Sequence, residues 1–340
     1  MKRQILCLWL CSLFLCLIRF PSVRPALSAA APFYEGKVVT FIVGHPPGGG
    51  YDRIARLLAK CLPKYIPGKP TFIVQNMPGG STVIAANHIY NVAKPDGLTL
   101  AIIDRATTFM QLLKVGGIKF DLTKFAWIGS PTIESYVLVI RSDLPSKNIQ
   151  DLMGQKKPIF LGSTGPTSIN APVSLMLKKY LGMNVETVEY RGTADVYLAI
   201  ERKEVDGMVD AWNSVKIRVE RGDVRPVLRT RIVQRGTENL PINEDLTTDP
   251  TGKKIMAMHA IVGGAGRFCI APPRTPEEAL RILRNAFARA IKEDPELREN
   301  AEKLMVDFEY VPAERCLEII NFILNQPAEV VKEFSKFVAF

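Results

Sequence analysis

The sequence predicts an α/β protein of two halves alike in plan, with a cleft between two lobes. Three observations predict it. Apolar runs alternate with stretches of helical spacing along most of the 340 residues. A glycine-rich turn, Gly44-His45-Pro46-Pro47-Gly48-Gly49-Gly50-Tyr51-Asp52, joins a strand-like segment to a helix-like one. A second turn rich in glycine and hydroxyls, Gly162 to Ser168, makes the same junction further along.

The elements follow in order. Val38 to Val43 is a continuous apolar run, as in a strand buried on both faces. Beyond the first turn, Ile54, Leu57, Leu58, Leu62 and Tyr65 fall at helical spacing over a helix from Arg53 to Leu62, and Pro63 should end or kink it. Thr71 to Val74 reads as a strand. Asn76-Met77-Pro78-Gly79-Gly80-Ser81 is a turn into a helix over 83–92, and Leu98 to Ile103 is the next strand. Tyr136 to Ile140 and Ile159 to Leu161 are extended. A helix after Ser168 offers Val173, Leu175, Met176 and Leu177 to a core. Val185 to Tyr190 is a strand, Arg191-Gly192-Thr193-Ala194-Asp195 a turn into a helix, and Val205 to Val209 a strand ending at Asp210. The C-terminal part is helical. Thr275 and Glu278 form a capping-box pair with Pro276 at the first helical position, and Leu280, Leu283, Phe287 and Ile291 mark one face. Asp294-Pro295 and Val311-Pro312 start two further helices.

The first 30 residues read as a secretory signal peptide. A basic start, Lys2-Arg3, precedes the uncharged apolar run Ile5 to Ile18, and Ser28-Ala29-Ala30 has the small residues a signal peptidase reads. That run is short for a membrane span, which needs about 20 apolar residues. Removing Lys2, Arg3, Arg19 and Arg24, which no acid balances, lowers the net charge from +10 to +6. The remaining basic residues are scattered among acids, which argues against nucleic-acid binding. Cys61, Cys269 and Cys316 remain after cleavage, allow at most one intramolecular disulfide, and lack metal-ligand spacing. Neither a metal nor another cofactor is expected.

Glycines at a strand-to-helix turn let the backbone approach a ligand and point several N–H groups at one spot, which favours a carboxylate or phosphate. The nucleotide motifs fail here. A Walker loop would end in Gly-Lys-Ser/Thr, but Tyr51 and Asp52 follow Gly50, and Arg53 stands where the third glycine of a dinucleotide fingerprint would be. An anion site remains, with Pro47, Gly48, Gly49, Gly50, Tyr51 and Asp52 as one wall and Gly80 and Ser81 beside it. Asp52 suits the helix dipole but repels an anion, so it should cap the helix or meet a donor while pointing away from the ligand. The helix-end field contributes about 0.3–1 kcal/mol and each hydrogen bond to a charged acceptor about 1.5–3 kcal/mol. Together these can support micromolar binding, which needs about 8 kcal/mol.

Ser163, Thr164, Gly165, Thr167 and Ser168 form the opposing wall, with Arg191, Gly192, Thr193 and Asp210 nearby. Arg191 can clamp a carboxylate or pair with Glu189 or Asp195. His45 adjoins the first loop, although a lone histidine is more often structural. H-E-x-x-H, C-x-x-C and G-x-S-x-G motifs are all missing, so no catalytic residue is assigned.

Pro46 to Asp52 resembles the Pro-Pro-Gly-Gly-x-x-Asp segment of the substrate-binding proteins of tripartite tricarboxylate transporters, the Bug family of periplasmic receptors. Asn76 to Gly80, Lys94 to Leu100, Gly162 to Gly165, Tyr190 to Gly192, Val205-Asp206, Asp210 and Ala271-Pro272 with Thr275-Pro276 are similar to further segments of that family, in order and spacing. The resemblance implies a periplasmic Venus flytrap of type II-like plan, two α/β lobes joined by crossing strands. Residues 31–133 with about 262–340 would form one lobe and 134–261 the other. It also implies a small carboxylate held largely by backbone groups and ordered water, delivery to cognate membrane subunits, and a monomer. Tyr51 departs from the family's small Ser or Thr, Ala171-Pro172 stands where a histidine is common, and Gly266 and Phe268 stand where Trp and Gly are usual. The expectation is a receptor for a small organic anion. The alternatives are an exported enzyme acting on a small carboxylate or phosphate ester, and the ligand-capturing subunit of a sensor.

Overall fold

The computed structural model describes residues 32–165, 168–304 and 306–338. The proposed signal segment and Thr167 lie outside the described residues. Two sheets organise the chain. Val38–Val43 (β1), Thr71–Asn76 (β2), Thr99–Ile103 (β3) and Ala126–Ser130 (β4) enter the first. Tyr136–Arg141 (β5), Ile159–Ser163 (β6), Val185–Glu189 (β7), Gly207–Ala211 (β8) and Val224–Arg229 (β9) make up the second. Phe268–Ala271 (β10) and Val311–Pro312 (β11) return to the first. The strand orders are β11-β4-β10-β3-β1-β2 and β7-β6-β8-β5-β9. The chain therefore crosses from sheet to sheet between β4 and β5 and again between β9 and β10.

The helices are Gly50–Cys61 (α1), Val83–Asn91 (α2), Ala106–Leu112 (α3), Ile149–Met153 (α4), Ala171–Leu181 (α5), Thr193–Glu201 (α6), Trp212–Glu220 (α7), Pro250–Ile261 (α8), Glu277–Glu293 (α9), Pro295–Lys303 (α10), Ala313–Leu324 (α11) and Ala328–Phe334 (α12). In α1, Ile54, Ala55, Leu58 and Cys61 are buried on one face, as their spacing requires. At Pro63, whose ring nitrogen has no N–H to donate, the α-helix gives way to a 3-10 turn over Leu62–Tyr65. Asp249 and Asp294 cap α8 and α10, accepting from Thr251 and Gly252 N–H and from Leu297 N–H.

Three expectations need correction. The first helix begins at Gly50 rather than Arg53, so the last glycine of the turn is already helical. Leu175 is exposed on α5 while Val173, Met176 and Leu177 are buried, because it falls on the far side of the helix. The capping box at Thr275 does not form: its hydroxyl donates to the Pro272 carbonyl at 2.8 Å, and α9 starts at Glu277 with Pro276 as a cap that offers no side-chain acceptor.

One apolar core is continuous from sheet to sheet. It joins Trp127 and Phe268 of the first sheet to Leu138 and Leu161 of the second through residues of α8, α11 and α12. A second core lies under β1, α1 and α9, and a third under α6 and α7. The 3-10 turn Ser335–Phe337 that follows α12 packs against α5: the rings of Tyr180 and Phe337 are tilted by 43° with centres 5.5 Å apart. Among the described residues no helix is long and apolar enough to cross a membrane.

Candidate ligand-binding site

β1 and β3 are parallel neighbours, so the turns leaving their C-terminal ends lie side by side. In open α/β sheets ligands bind at such ends. β6 and β8 are likewise parallel neighbours. A cavity of about 650 Å³ is lined from both sheets. His45, Pro46, Pro47, Gly49, Gly50 and Tyr51 come from the turn after β1, Ser81 from the turn before α2, and Asp104, Arg105 and Ala106 from the end of β3. Thr164, Ser168, Ile169 and Asn170 follow β6; Arg191, Gly192 and Thr193 follow β7; Asp210, Ala211 and Ser214 belong to β8 and α7; Arg267 precedes β10. A larger cavity of about 760 Å³ lies between α7 and the 291–309 stretch. The Lys216 ammonium there is 2.9 Å from Asp307 and so is already paired.

The predicted residues divide accordingly. Pro47, Gly49, Gly50, Tyr51, Ser81, Thr164, Ser168, Arg191, Gly192, Thr193 and Asp210 line the cavity. Gly48, Asp52, Gly80, Ser163 and Gly165 are not among its lining residues. The Asp52 carboxylate accepts from Gly48 N–H at 2.8 Å, Arg56 Nε at 2.9 Å and Asn76 Nδ2 at 2.9 Å. It pins the glycine turn from behind, and the α1 cap, Gly49, receives no side-chain bond. Burial raises its carboxyl, but the bonds from Arg56, Gly48 and Asn76 outweigh that and bring it down to about 2. Ser163 Oγ accepts from Gly165 N–H at 3.2 Å, so these two tie the second turn together. Gly80 has φ +55° and carries the backbone through the left-handed region just before Ser81. Arg191 has neither Glu189 nor Asp195 as an ion-pair partner among the described residues.

Sequence reasoning missed Asp104, Arg105, Asn170, Ser214 and Arg267 and left His45 undecided. His45 Nε2 lies 3.2 Å from Asp104 Oδ2, and its ring stacks on Tyr51 with centres 4.2 Å apart. Asp104 Oδ1 accepts from Ala106 N–H at 2.7 Å. Burial opposes its ionisation, but the His45 bond, the Arg105 charge and the Ala106 N–H hold its carboxyl far below the usual range. Arg105 is only 4 % exposed. Its Nε donates to the Tyr136 hydroxyl, and Nη1 makes a long 3.5 Å contact with the Tyr51 hydroxyl. Burial, with Asp104 adding to it, pushes the Tyr51 phenol well above its ordinary value.

Arg267 Nε donates to Glu134 Oε1 at 3.0 Å, and its guanidinium lies 4.7 Å from the Tyr51 ring centre. Asp210 Oδ1 accepts from Asn170 Nδ2 and from Ala211 N–H, both at 2.8 Å. Burial, with a contribution from Glu134, raises its carboxyl despite those bonds. Asp104 and Arg105 had a signal in the sequence, since they immediately follow a strand parallel to β1. Arg267 had none, because it reaches the cavity only through the antiparallel pairing of Phe268 with Ile103.

Cys61, Cys269 and Cys316 are free and buried. Cys61 lies close to Asp294 and Glu296. Lys64 already bridges that acid pair, 3.0 Å from Asp294 and 2.8 Å from Glu296.

Comparison with known proteins adds to this geometry. A sequence profile of the tripartite tricarboxylate transporter family receptor matches residues 54–335. A UPF0065 protein of Bordetella pertussis is 28% identical over 271 residues, covering 78% of this chain and 80% of its own. A TctC solute-binding protein from Polaromonas superposes with a TM-score of 0.69 at 18% identity, over 89% of this chain and 99% of that one. An R. palustris protein with adipate gives 0.66 at 21% identity, over 89% and 99%. These structural likenesses show a shared two-lobed α/β fold.

Proposed function

From the premise that the chain belongs to the receptor family of tripartite tricarboxylate transporters, we propose that it captures a small organic acid in the cavity between its two sheets. The receptor then passes the acid to a cognate membrane transporter. Family and fold are those of substrate-binding receptors rather than enzymes. Such receptors are periplasmic, which implies export.

One observation carries the reading of the site. Arg105, Arg191 and Arg267 line one cavity together with the glycine turn and the hydroxyls of Ser81, Thr164 and Ser168. Guanidinium groups, hydroxyls and backbone N–H groups all donate to carboxylate oxygens. The acids that line the cavity compete weakly: Asp104 is already bonded to His45 and Ala106, and Asp210 to Asn170, Tyr197 and Ala211. The R. palustris relative was solved with adipate, a linear dicarboxylate, and linear diacids are the first ligands to try here.

The binding set under this reading is Pro47, Gly49, Gly50, Tyr51, Ser81, Thr164, Ser168, Arg191, Gly192, Thr193 and Asp210, with His45, Arg105 and Arg267 added. Gly48, Asp52, Gly80, Ser163 and Gly165 shape the turns. Thr167, outside the described residues, stays a candidate. Residues 31–133 with about 262–340 form one lobe and 134–261 the other, with α12 reaching across to α5. The mature receptor is a monomer, released when residues 1–30 are removed. Capture closes the lobes by favouring the state in which both walls touch the acid.

A thermal-shift screen of small carboxylates tests this. Ligand at 100 times its dissociation constant stabilises a one-site binder by about 2.7 kcal/mol. Recovery of the acid unchanged supports a receptor, and a chemically altered product would favour an exported enzyme. Failure of every acid to shift the melt would refute carboxylate capture.

A further inference from the structure

The Arg267 side chain is about nine-tenths buried, and its position is tightly prescribed. Its backbone N–H donates to Ser130 Oγ at 2.8 Å, and Nε is bonded to Glu134. A Cβ added at Gly50 would come within 3.0 Å of Nη1 and 3.5 Å of Nη2. The guanidinium therefore packs directly against the face that Gly50 leaves bare, at the first residue of α1, and a side chain there would press on it. Nη1 is buried and has no hydrogen-bond partner among the described residues. A buried donor without an acceptor is unfavourable, and the outer edge of a guanidinium matches the two oxygens of a carboxylate.

Charge neutralisation alone does not account for this arrangement. Glu134 is fully buried and needs a cation, but Arg267 reaches it only through Nε to Oε1, which also accepts from Thr132 Oγ1 at 3.2 Å, and Oε2 has no partner among the described residues. An arginine serving Glu134 alone would turn its fork onto both oxygens. Here the Nη1–Nη2 edge lies against Gly50 and beside Tyr51, two cavity-lining residues.

We propose that Arg267 is the specificity-determining residue of the cavity, donating through the Nη1–Nη2 edge to one carboxylate of the ligand, with Arg105 supporting the same group from the Tyr51 hydroxyl side. This rests on the carboxylate-capture reading above and deepens it. The ligand must carry a full carboxylate at that point, and an amide in its place is rejected because it brings an N–H group against a guanidinium donor.

The test is calorimetric titration of the mature protein with straight-chain diacids of four to six carbons, adipate included. The tightest binder and its monoamide are then compared. In the wild type the monoamide binds about 10- to 100-fold more weakly, the range for losing one charge-assisted bond. Arg267→Lys keeps a cation for Glu134 but lacks the fork, and loses about 10-fold in diacid affinity. Arg267→Gln alone strands the buried Glu134 charge and can fail to fold. The double variant Arg267→Gln/Glu134→Gln removes both charges and binds diacid and monoamide equally. Gly50→Ala keeps every charge, displaces the guanidinium, and weakens the diacid more than the monoamide. Unchanged discrimination in folded Arg267→Lys and in the double variant would overturn the proposal and leave carboxylate capture standing. A wild type that binds none of the diacids would overturn both.

Discussion

The guanidinium of Arg267 sits 4.7 Å from the centre of the Tyr51 ring. His45 stacks on that ring at 4.2 Å. Tyr51 therefore fixes a histidine and an arginine that belong to different strand ends, one after β1 and one before β10. The aromatic ring matters more here than its hydroxyl, whose contact with Arg105 is long at 3.5 Å. Tyr51→Phe should keep diacid affinity within about 3-fold, since it retains the stacking and the cation–π contact. Tyr51→Ser should lose about 10-fold or more, because both neighbours come loose and the wall recedes. Titration calorimetry of the two variants distinguishes these outcomes, and equal loss in both would assign the effect to the hydroxyl.

Asp52 makes acid stability depend on the glycine turn. Its carboxyl is brought from an ordinary 3.8 down to about 2 in the folded protein. A depressed carboxyl stabilises the fold fully above its unfolded value and loses that contribution as pH falls through the folded one. The contribution is about 2 kcal/mol, complete above about pH 4 and lost toward pH 2. Urea melts should show Asp52→Asn destabilised by about 1–3 kcal/mol at pH 7. The gap to the wild type should close at pH 2. A gap independent of pH would mean that the charge of Asp52 is not what holds the turn.

Asp210 behaves in the opposite sense. Its carboxyl is raised by burial, so ionisation works against the folded state as pH climbs from 3.8 through the raised value. Asp210→Asn should match the wild type in stability below pH 4 and gain on it at pH 7. Because Asp210 lines the cavity, the variant should also bind a diacid about 3- to 10-fold more tightly at pH 7. Weaker binding would instead mean that a protonated Asp210 donates to a ligand carboxylate.

The three buried thiols should be inert. Burial, with Asp294 nearby, raises Cys61 to about 11, and burial, with Glu314 nearby, raises Cys316 to about 12. Thiolate rather than thiol is the reactive form. An aromatic disulfide reagent should label none of the three in the native mature protein at pH 8 and all three in denaturant. Rapid native labelling would show that one of the sites opens.

Much of this fold was legible because its signals are local. Val38 to Val43 is a central strand with the apolar run that such a strand needs, and Ile54 and Leu58, read from their helical spacing, are buried on α1. The misreadings have local causes too. Thr275 had an alternative acceptor in the Pro272 carbonyl, which the capping pattern does not reveal. Within the site, residues on the turns were legible, including Tyr51, Ser81 and Arg191. Arg267 was not, since its place depends on an antiparallel strand arriving from more than 160 residues away and on the space left by Gly50. Asp52 was legible as a donor-seeking acid, but its partner Asn76 becomes visible only once β2 pairs with β1.

The most direct measurement is titration calorimetry of the mature protein with adipate and related four- to six-carbon diacids, with recovery of the titrant afterwards by mass spectrometry. The account predicts saturable binding of at least one diacid, one per chain, with a dissociation constant at or below about the micromolar range, which corresponds to about 8 kcal/mol, and the acid returned unchanged. No binding by any diacid, or a converted product, would contradict it.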